Sequence, residues 1–423
     1  MAKHKKKVDS KANTREIVRL RDYQEAEAFF EYEDEEAEAA GEARLKKMRV
    51  PKAVYRVVII LILLILGLAL WINRSSLTLE NITTWVKLQF VGEGQGDGFP
   101  VSITGSSVFA SNFTSYGGDA LILSDTALTM VDPTGKTGLS LRHSLNQPAM
   151  RSAHGQTLLY NQGSTGYMVL SGTEVKLKGT AEREILFGVV AQNGRFALGL
   201  HGADGASELN VYQKDGSLQY TYAFAKDYIT AIAMNYDGVY GAVCTVRSEK
   251  GELISKVTVF DFNQAEPLTS YETRDNLLID AAWTESGDLY AVGDSALLLA
   301  KSTDYVFREY SYDGRQLTAY RLDQSRAFLS ISAYAHAGPC TLLVFRGEND
   351  PVRVESPERI VSLSVSGGTV GALVDGEAVF YDYSTGLEQG RADAGSDAKS
   401  IALSSERAAY VLGVSEIRTV GIQ

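Results

Sequence analysis

From residue 101 onward two short patterns alternate along the chain, and they constrain its fold more than any other feature. The first is an apolar strand, a small turn and a second apolar strand: "RSAHGQTLLYN", "GVVAQNGRFALGL", "AIAMNYDGVYGAV", "AAWTESGDLYAVG", "SLSVSGGTVGALV" and "IALSSERAAYVLG". Its turns fall at Gly155, Gly194, Gly238, Gly287, Gly368 and Glu406, with a weaker copy, "SAYAHAGPCTLLV", at Gly338. The second is a strand, a hairpin turn and an outer strand: "LTMVDPTGKTGLSL", "YMVLSGTEVKL", "LNVYQKDGSLQYTY", "VTVFDFNQAEPLTSY", "YVFREYSYDGRQLTAY" and "AVFYDYSTGLEQGRA". Turns here lie near Gly135, Gly172, Gly216, Ala265, Gly314 and Gly386, with a poorer copy at Gly347. Asp-Gly pairs at Asp215, Asp237 and Asp313 suit the tight turns of hairpins.

Interleaved in this way, one unit is four strands in up-and-down order. A lone sheet of that size leaves an apolar face uncovered, and radial packing of neighbouring units covers both faces and leaves only short edges. Two β-sandwiches would share no such period. Seven outer hairpins are present, and residues 399–423 add strands that lack a fourth, which "FPVSITGSS" near residue 99 can supply. The expectation is an all-β domain over residues 99–423, a β-propeller of eight blades if that stretch closes the ring and of seven otherwise.

"MVDPTGKTG" and "YDYSTGLEQG" resemble the Asp-x-x-Thr-Gly hairpin of quinoprotein-type and WD-like propellers. The whole plan is similar to uncharacterised bacterial single-pass membrane proteins with an extracytoplasmic propeller. The resemblance covers residues 99–423 and implies architecture rather than cofactor chemistry: Trp71, Trp85 and Trp283 are the chain's tryptophans, so the docking tryptophan after each quinoprotein hairpin is missing. No cofactor is expected.

Ahead of the repeats, Val57 to Asn73 form an uncharged run of 17 residues. As a helix it covers roughly 25 Å, near the thickness of a hydrocarbon core once Arg56 snorkels and Trp71 anchors the far end. The sequence predicts a transmembrane helix over 53–73. More than fifty residues precede it and "WINRSSLTL" offers no cleavage site, so it reads as an uncleaved signal-anchor. Arg44, Lys46, Lys47, Arg49, Lys52 and Arg56 crowd one flank, against Arg74 and Lys87 on the other, which places residues 1–52 in the cytosol. The expected location is the plasma membrane, crossed once, with the C-terminal domain extracytoplasmic. The charged tail reads as solvated and partly disordered, with Phe29, Phe30 and Tyr32 available to a cytosolic protein partner. Residues 74–98 read as a short juxtamembrane helix and a Gly-rich linker.

Through Arg56 the chain carries 14 basic and 12 acidic side chains, and after it 27 against 40. That acidic balance excludes nucleic acid as a partner of the outer domain. Two cysteines, Cys244 and Cys340, are too few for a disulfide scaffold or a cysteine-based zinc site, and both lie in strand-like runs. Gly-x-Ser-x-Gly, HExxH, Walker and dinucleotide motifs are absent. His143 and His154 can converge only across a turn, and the carboxylate pairs Glu182 with Glu184, Glu348 with Asp350 and Asp393 with Asp397 fall in loops. No catalytic or metal residue is assigned. The expected role is a non-catalytic binding or scaffolding module, not an enzyme, for an envelope protein or polymer. A glycan hydrolase or lyase is the alternative, because a propeller can bring carboxylates together from different blades. Aromatic enrichment at interfaces points to Tyr236, Tyr312 and Tyr383 as binding residues.

A protease added to intact cells is expected to remove the mass beyond residue 99 and leave the tail intact. A protected C-terminus, or a mature chain beginning near Ser75, would contradict the signal-anchor reading.

Overall fold

The computed structural model describes residues 98–422, with Leu61 alone further toward the N-terminus. The tail at 1–52, the helix over 53–73 and the linker at 74–98 lie outside the described residues, apart from Leu61 and Gly98.

The strands form eight separate antiparallel sheets of four. Blades 1 to 7 occupy residues 108–142, 148–180, 185–224, 228–274, 278–311, 316–356 and 360–393. Blade 8 takes three strands, Ser400–Ser405, Ala408–Leu412 and Glu416–Gly421, from the C-terminal end, and Val101–Ser102 from the start of the domain is its outer strand. The seam is short: Val101 pairs with Ile417 and Ser102 with Glu416, and Ile103 N donates to Ser415 O at 2.9 Å. Closure by "FPVSITGSS" is therefore correct, and the ring has eight blades.

The core lies between blades rather than at one centre. Middle strands alternate apolar residues to both faces and are buried throughout, as in Leu289–Gly293 and Thr369–Val374. Each face packs on a neighbour: Leu121, Leu128 and Met130 of blade 1 on Met150, Leu159 and Met168 of blade 2, and Leu373 and Phe380 of blade 7 on Ile401 and Val411 of blade 8. At the seam Phe113 and Ile122 of blade 1 meet Ala402, Tyr410 and Leu412 of blade 8. The Tyr410 hydroxyl, fully buried, donates to Gly118 O at 2.6 Å. Asn112 clamps blades 1 and 2, donating to Pro148 O at 2.7 Å and accepting from Met150 N at 3.1 Å.

Inner strands run from the face called upper here to the lower face. In blades 3 to 7 each carries one extra residue near its upper end, after Ile185, Ile229, Leu278, Leu317 and Ile360. Such a bulge re-aims the residues that follow it. This recurrence aligns the five inner strands residue by residue.

Two of the sequence copies occupy other strands than expected. "YVFREYSYDGRQLTAY" is not an outer hairpin: Phe307–Ser311 ends blade 5 and Gln316–Leu322 is the inner strand of blade 6. Asp313 and Gly314, at φ 53° and 77°, bend the chain as a hairpin turn does, but between sheets. Likewise "SAYAHAGPCTLLV" joins the second and third strands of blade 6. The true outer hairpin of blade 5, residues 301–306, lacks glycine, and Tyr305 supplies the positive φ of 49° while stacking edge-on against Trp283. One hairpin gained and one missed leave the count intact.

Deleting residues 399–423 uncovers the facing sides of blades 7 and 1, so the chain is expected to aggregate or to lose its cooperative melt. Tyr410→Phe gives the graded version, a loss of about 1–2 kcal/mol in thermal or denaturant unfolding with the fold retained. An unchanged melt after the deletion would mean that the ring stands without its seam.

A charged channel as candidate functional site

The eight inner strands enclose a central cavity of 570 Å³. Most of its wall is small or apolar, including Ala281, Ala282, Ala319, Val189 and Ile232. Three charged side chains interrupt it: Arg151 from blade 2, Asp280 from blade 5 and Arg321 from blade 6. Counting from the bulge, Arg321 occupies the place of Val189, Ala233, Ala282 and Ser364, and Asp280 that of Phe187, Ala231, Ala319 and Ser362.

The ring is narrow enough for side chains to meet across it. Arg151 reaches Asp280 at 3.7 Å and lies 4.7 Å above the Phe187 ring. The Tyr320 hydroxyl donates to the same Asp280 carboxylate at 3.2 Å, and Ala281 N donates to its other oxygen at 2.9 Å. Arg321 extends to Thr114 Oγ1 at 3.5 Å, the limit of a hydrogen bond, and forms no ion pair among the described residues. Burial works against the Arg151 charge, but Asp280, Tyr160 and Tyr320 outweigh it and raise its pKa. For Arg321 burial wins and the pKa falls, although Asp323 and Asp280 oppose it. Both remain cationic. Water reaches Arg321 through the channel while protein surrounds it on every side.

Below Arg321 a second cavity of 370 Å³ continues to the lower face, lined by His154, Trp283, Glu285, Asp323 and Gln324 among others. His154 of blade 2 and Gln324 of the opposite blade 6 meet across it. Burial lowers the His154 pKa, which keeps the imidazole neutral and able to accept from the Gln324 amide.

Tyr236 and Tyr383 stand on the lower face: Tyr236 is partly exposed in its turn, and Tyr383 carries Arg326 4.2 Å above its ring. Tyr312 is 1% exposed, with its hydroxyl donating to Gly293 O at 3.1 Å. It packs blade 5 against blade 6 and offers a partner no surface. His143 caps the upper end of blade 1, hydrogen-bonded with Ser124 O, so it does not converge with His154. Cys244 and Cys340 are buried and unbridged, in blades 4 and 6. Asn112, within an N-x-T triplet, is 3% exposed and committed to the clamp. Sequence reasoning missed Arg151, Asp280 and Arg321. The signal was there in alignment of the inner strands, where these charges stand at places that are otherwise apolar or small.

A closed eight-bladed β-propeller with a charged channel is the class these features define. Residues 101–312, half of the chain, match the family described as "Family of unknown function (DUF5711)", and the chain belongs to that family. The match spans the closing strand and blades 1 to 5, thus Arg151 and Asp280 but not Arg321. No curated protein matches the chain. Among solved structures, Saccharomyces cerevisiae Sqt1 is 11% identical, covering 77% of this chain and 100% of its own, with a TM-score of 0.50. The Cps50 (Swd1) β-propeller domain of Myceliophteria thermophila is 14% identical, covering 77% and 100%, with a TM-score of 0.45. Kuenenia stuttgartiensis hydrazine synthase is 11% identical, covering 78% and 99%, with a TM-score of 0.44. At such identities the Sqt1 likeness speaks to fold alone, and the two weaker ones carry no argument.

A folded imidazole with a depressed pKa contributes stability above its unfolded value, about 6.5, and loses that contribution as pH falls. Wild-type protein is therefore expected to lose more stability between pH 7.5 and 5 than His154→Asn, a change that tolerates the residue's φ of 43°. Parallel stability profiles of the two proteins would show that His154 is not held neutral.

Proposed function

We propose that this chain is a non-catalytic binding module, tethered to the plasma membrane by its N-terminal segment, that holds a protein or polymer of the cell envelope on the upper face of the ring. The observation that carries this reading is where the chain enters. Gly98 N donates to Thr134 O at 3.1 Å, in a lower-face turn of blade 1. Gly98, where the described part of the domain begins, therefore lies on that face. The upper face is remote from it, and there Phe109, Tyr228, Tyr334, Val361 and Val414 are each about half or more exposed. They come from blades 1, 4, 6, 7 and 8, so a partner can be gripped from several sides of a rigid frame. The lower-face pair Tyr236 and Tyr383 stands on the side of chain entry, which favours the upper face over the residues suggested by the sequence.

A photo-crosslinking residue placed at Phe109 or Tyr334 of the full chain, in intact cells, is expected to yield a discrete adduct, and one at Tyr236 is not. Adducts from Tyr236 alone would move the binding face to the lower side. Release of soluble product from purified peptidoglycan by the full-length protein, abolished by replacing one carboxylate, would overturn the non-catalytic reading.

A further inference from the structure

We propose that the central channel is a binding site for a small oxyanion, a carboxylate or phosphate group, held by Arg321 with Arg151 and reached from the upper face. This does not depend on the docking face described above.

Charge comes first. The 570 Å³ cavity is lined by two guanidinium groups and one carboxylate, within a domain that is otherwise strongly acidic. Asp280 is already engaged by Arg151, the Tyr320 hydroxyl and Ala281 N. Arg321 has one contact at the limit of hydrogen bonding, from a position where four other blades place Val189, Ala233, Ala282 and Ser364. Arg321 is exposed to the channel water and makes no ion pair among the described residues, so its remaining N–H donors stand open to a ligand. The repeat needs nothing larger than a small side chain at that place, so packing does not account for the arginine. An oxyanion does: a planar guanidinium meets carboxylate or phosphate oxygens with two parallel N–H donors.

Position within the channel follows from the neighbouring charges. Below Arg321 stand Glu285 and Asp323, and the His154–Gln324 contact spans the passage. Negative charge there repels an anion, which places it above Arg321, beside Arg151. Ser111 and Thr114 hydroxyls lie in the same wall. Upper access is open: Ile279 lines both this cavity and the adjoining upper one of 530 Å³, and Val361 at its rim is 48% exposed. A low-dielectric wall focuses the field of the two arginines on the anion.

The test uses purified full-length protein in detergent, with inorganic phosphate and succinate as probes at constant ionic strength against chloride. Phosphate, succinate or both are expected to raise the melting temperature saturably and to bind in calorimetry. Arg321→Ala, which matches the side chain of blades 4 and 5, should fold, melt no lower than wild type in chloride, and bind the probe about tenfold or more weakly. Arg321→Lys should restore part of the binding. Which probe binds tells phosphate from carboxylate recognition. Binding equal in wild type and Arg321→Ala, or no binding of either probe by wild type, would overturn the proposal. So would a lower melt of Arg321→Ala in chloride, because Arg321 would then be structural.

Discussion

A blade of four strands has two apolar faces and no means of covering either, and everything else in this structure follows from that shortage. Leu158, Leu198, Val243, Ala291, Leu329, Ala372 and Val411 are all fully buried, yet each is covered only because another blade lies over it. The arrangement is stable when the last blade reaches the first. That contact is Tyr410 and Leu412 against Phe113 and Ile122, fastened by a two-residue strand taken from the start of the domain. Two pairs of residues contribute little cohesion of their own. They convert a stack with two exposed ends into a ring with none, and so remove the edges that would otherwise recruit other chains.

Closure fixes geometry as well as stability. Eight inner strands set a channel that is wide enough for water and narrow enough for an arginine to reach a carboxylate on a distant blade. Arg151 meets Asp280 and His154 meets Gln324 over such spans. These contacts join residues far apart in sequence, 170 positions in the second case. They are properties of the ring, not of any blade.

The architecture was legible because each blade repeats local chemistry: alternating apolar residues, and turns such as that of Asp382, whose carboxylate accepts from Ser384 N and Thr385 N. That capping also accounts for the hairpin likeness at Asp132 and Asp382 without any cofactor. The candidate site was not legible, for an identifiable reason. Asp313 and Gly314 bend the chain between blades 5 and 6 as sharply as within a hairpin, so "RQLTAY" reads as an outer strand. That reading puts Tyr320 on an outer strand, whereas Tyr320 and the adjoining Arg321 line the axis. Tyr312 was misplaced by the same bend: an aromatic beside a tight turn looks like a loop residue, and here it fills the junction the turn creates.

Repetition gives such a protein an internal standard. A residue that agrees with its equivalents in other blades needs no explanation beyond packing, and one that departs from them at a cost needs another. Asp280 departs, and Arg151 and Tyr320 answer its charge within the channel. Arg321 departs, and among the described residues no ion pair answers it. Two off-pattern charges would suffice for a structural pair across the ring. A third of the same sign as Arg151 unbalances the channel, and the imbalance lies in a water-filled passage through an acidic domain. The ring therefore separates two tasks: its blades and seam supply rigidity through residues that resemble one another, and its axis carries chemistry through the few that do not.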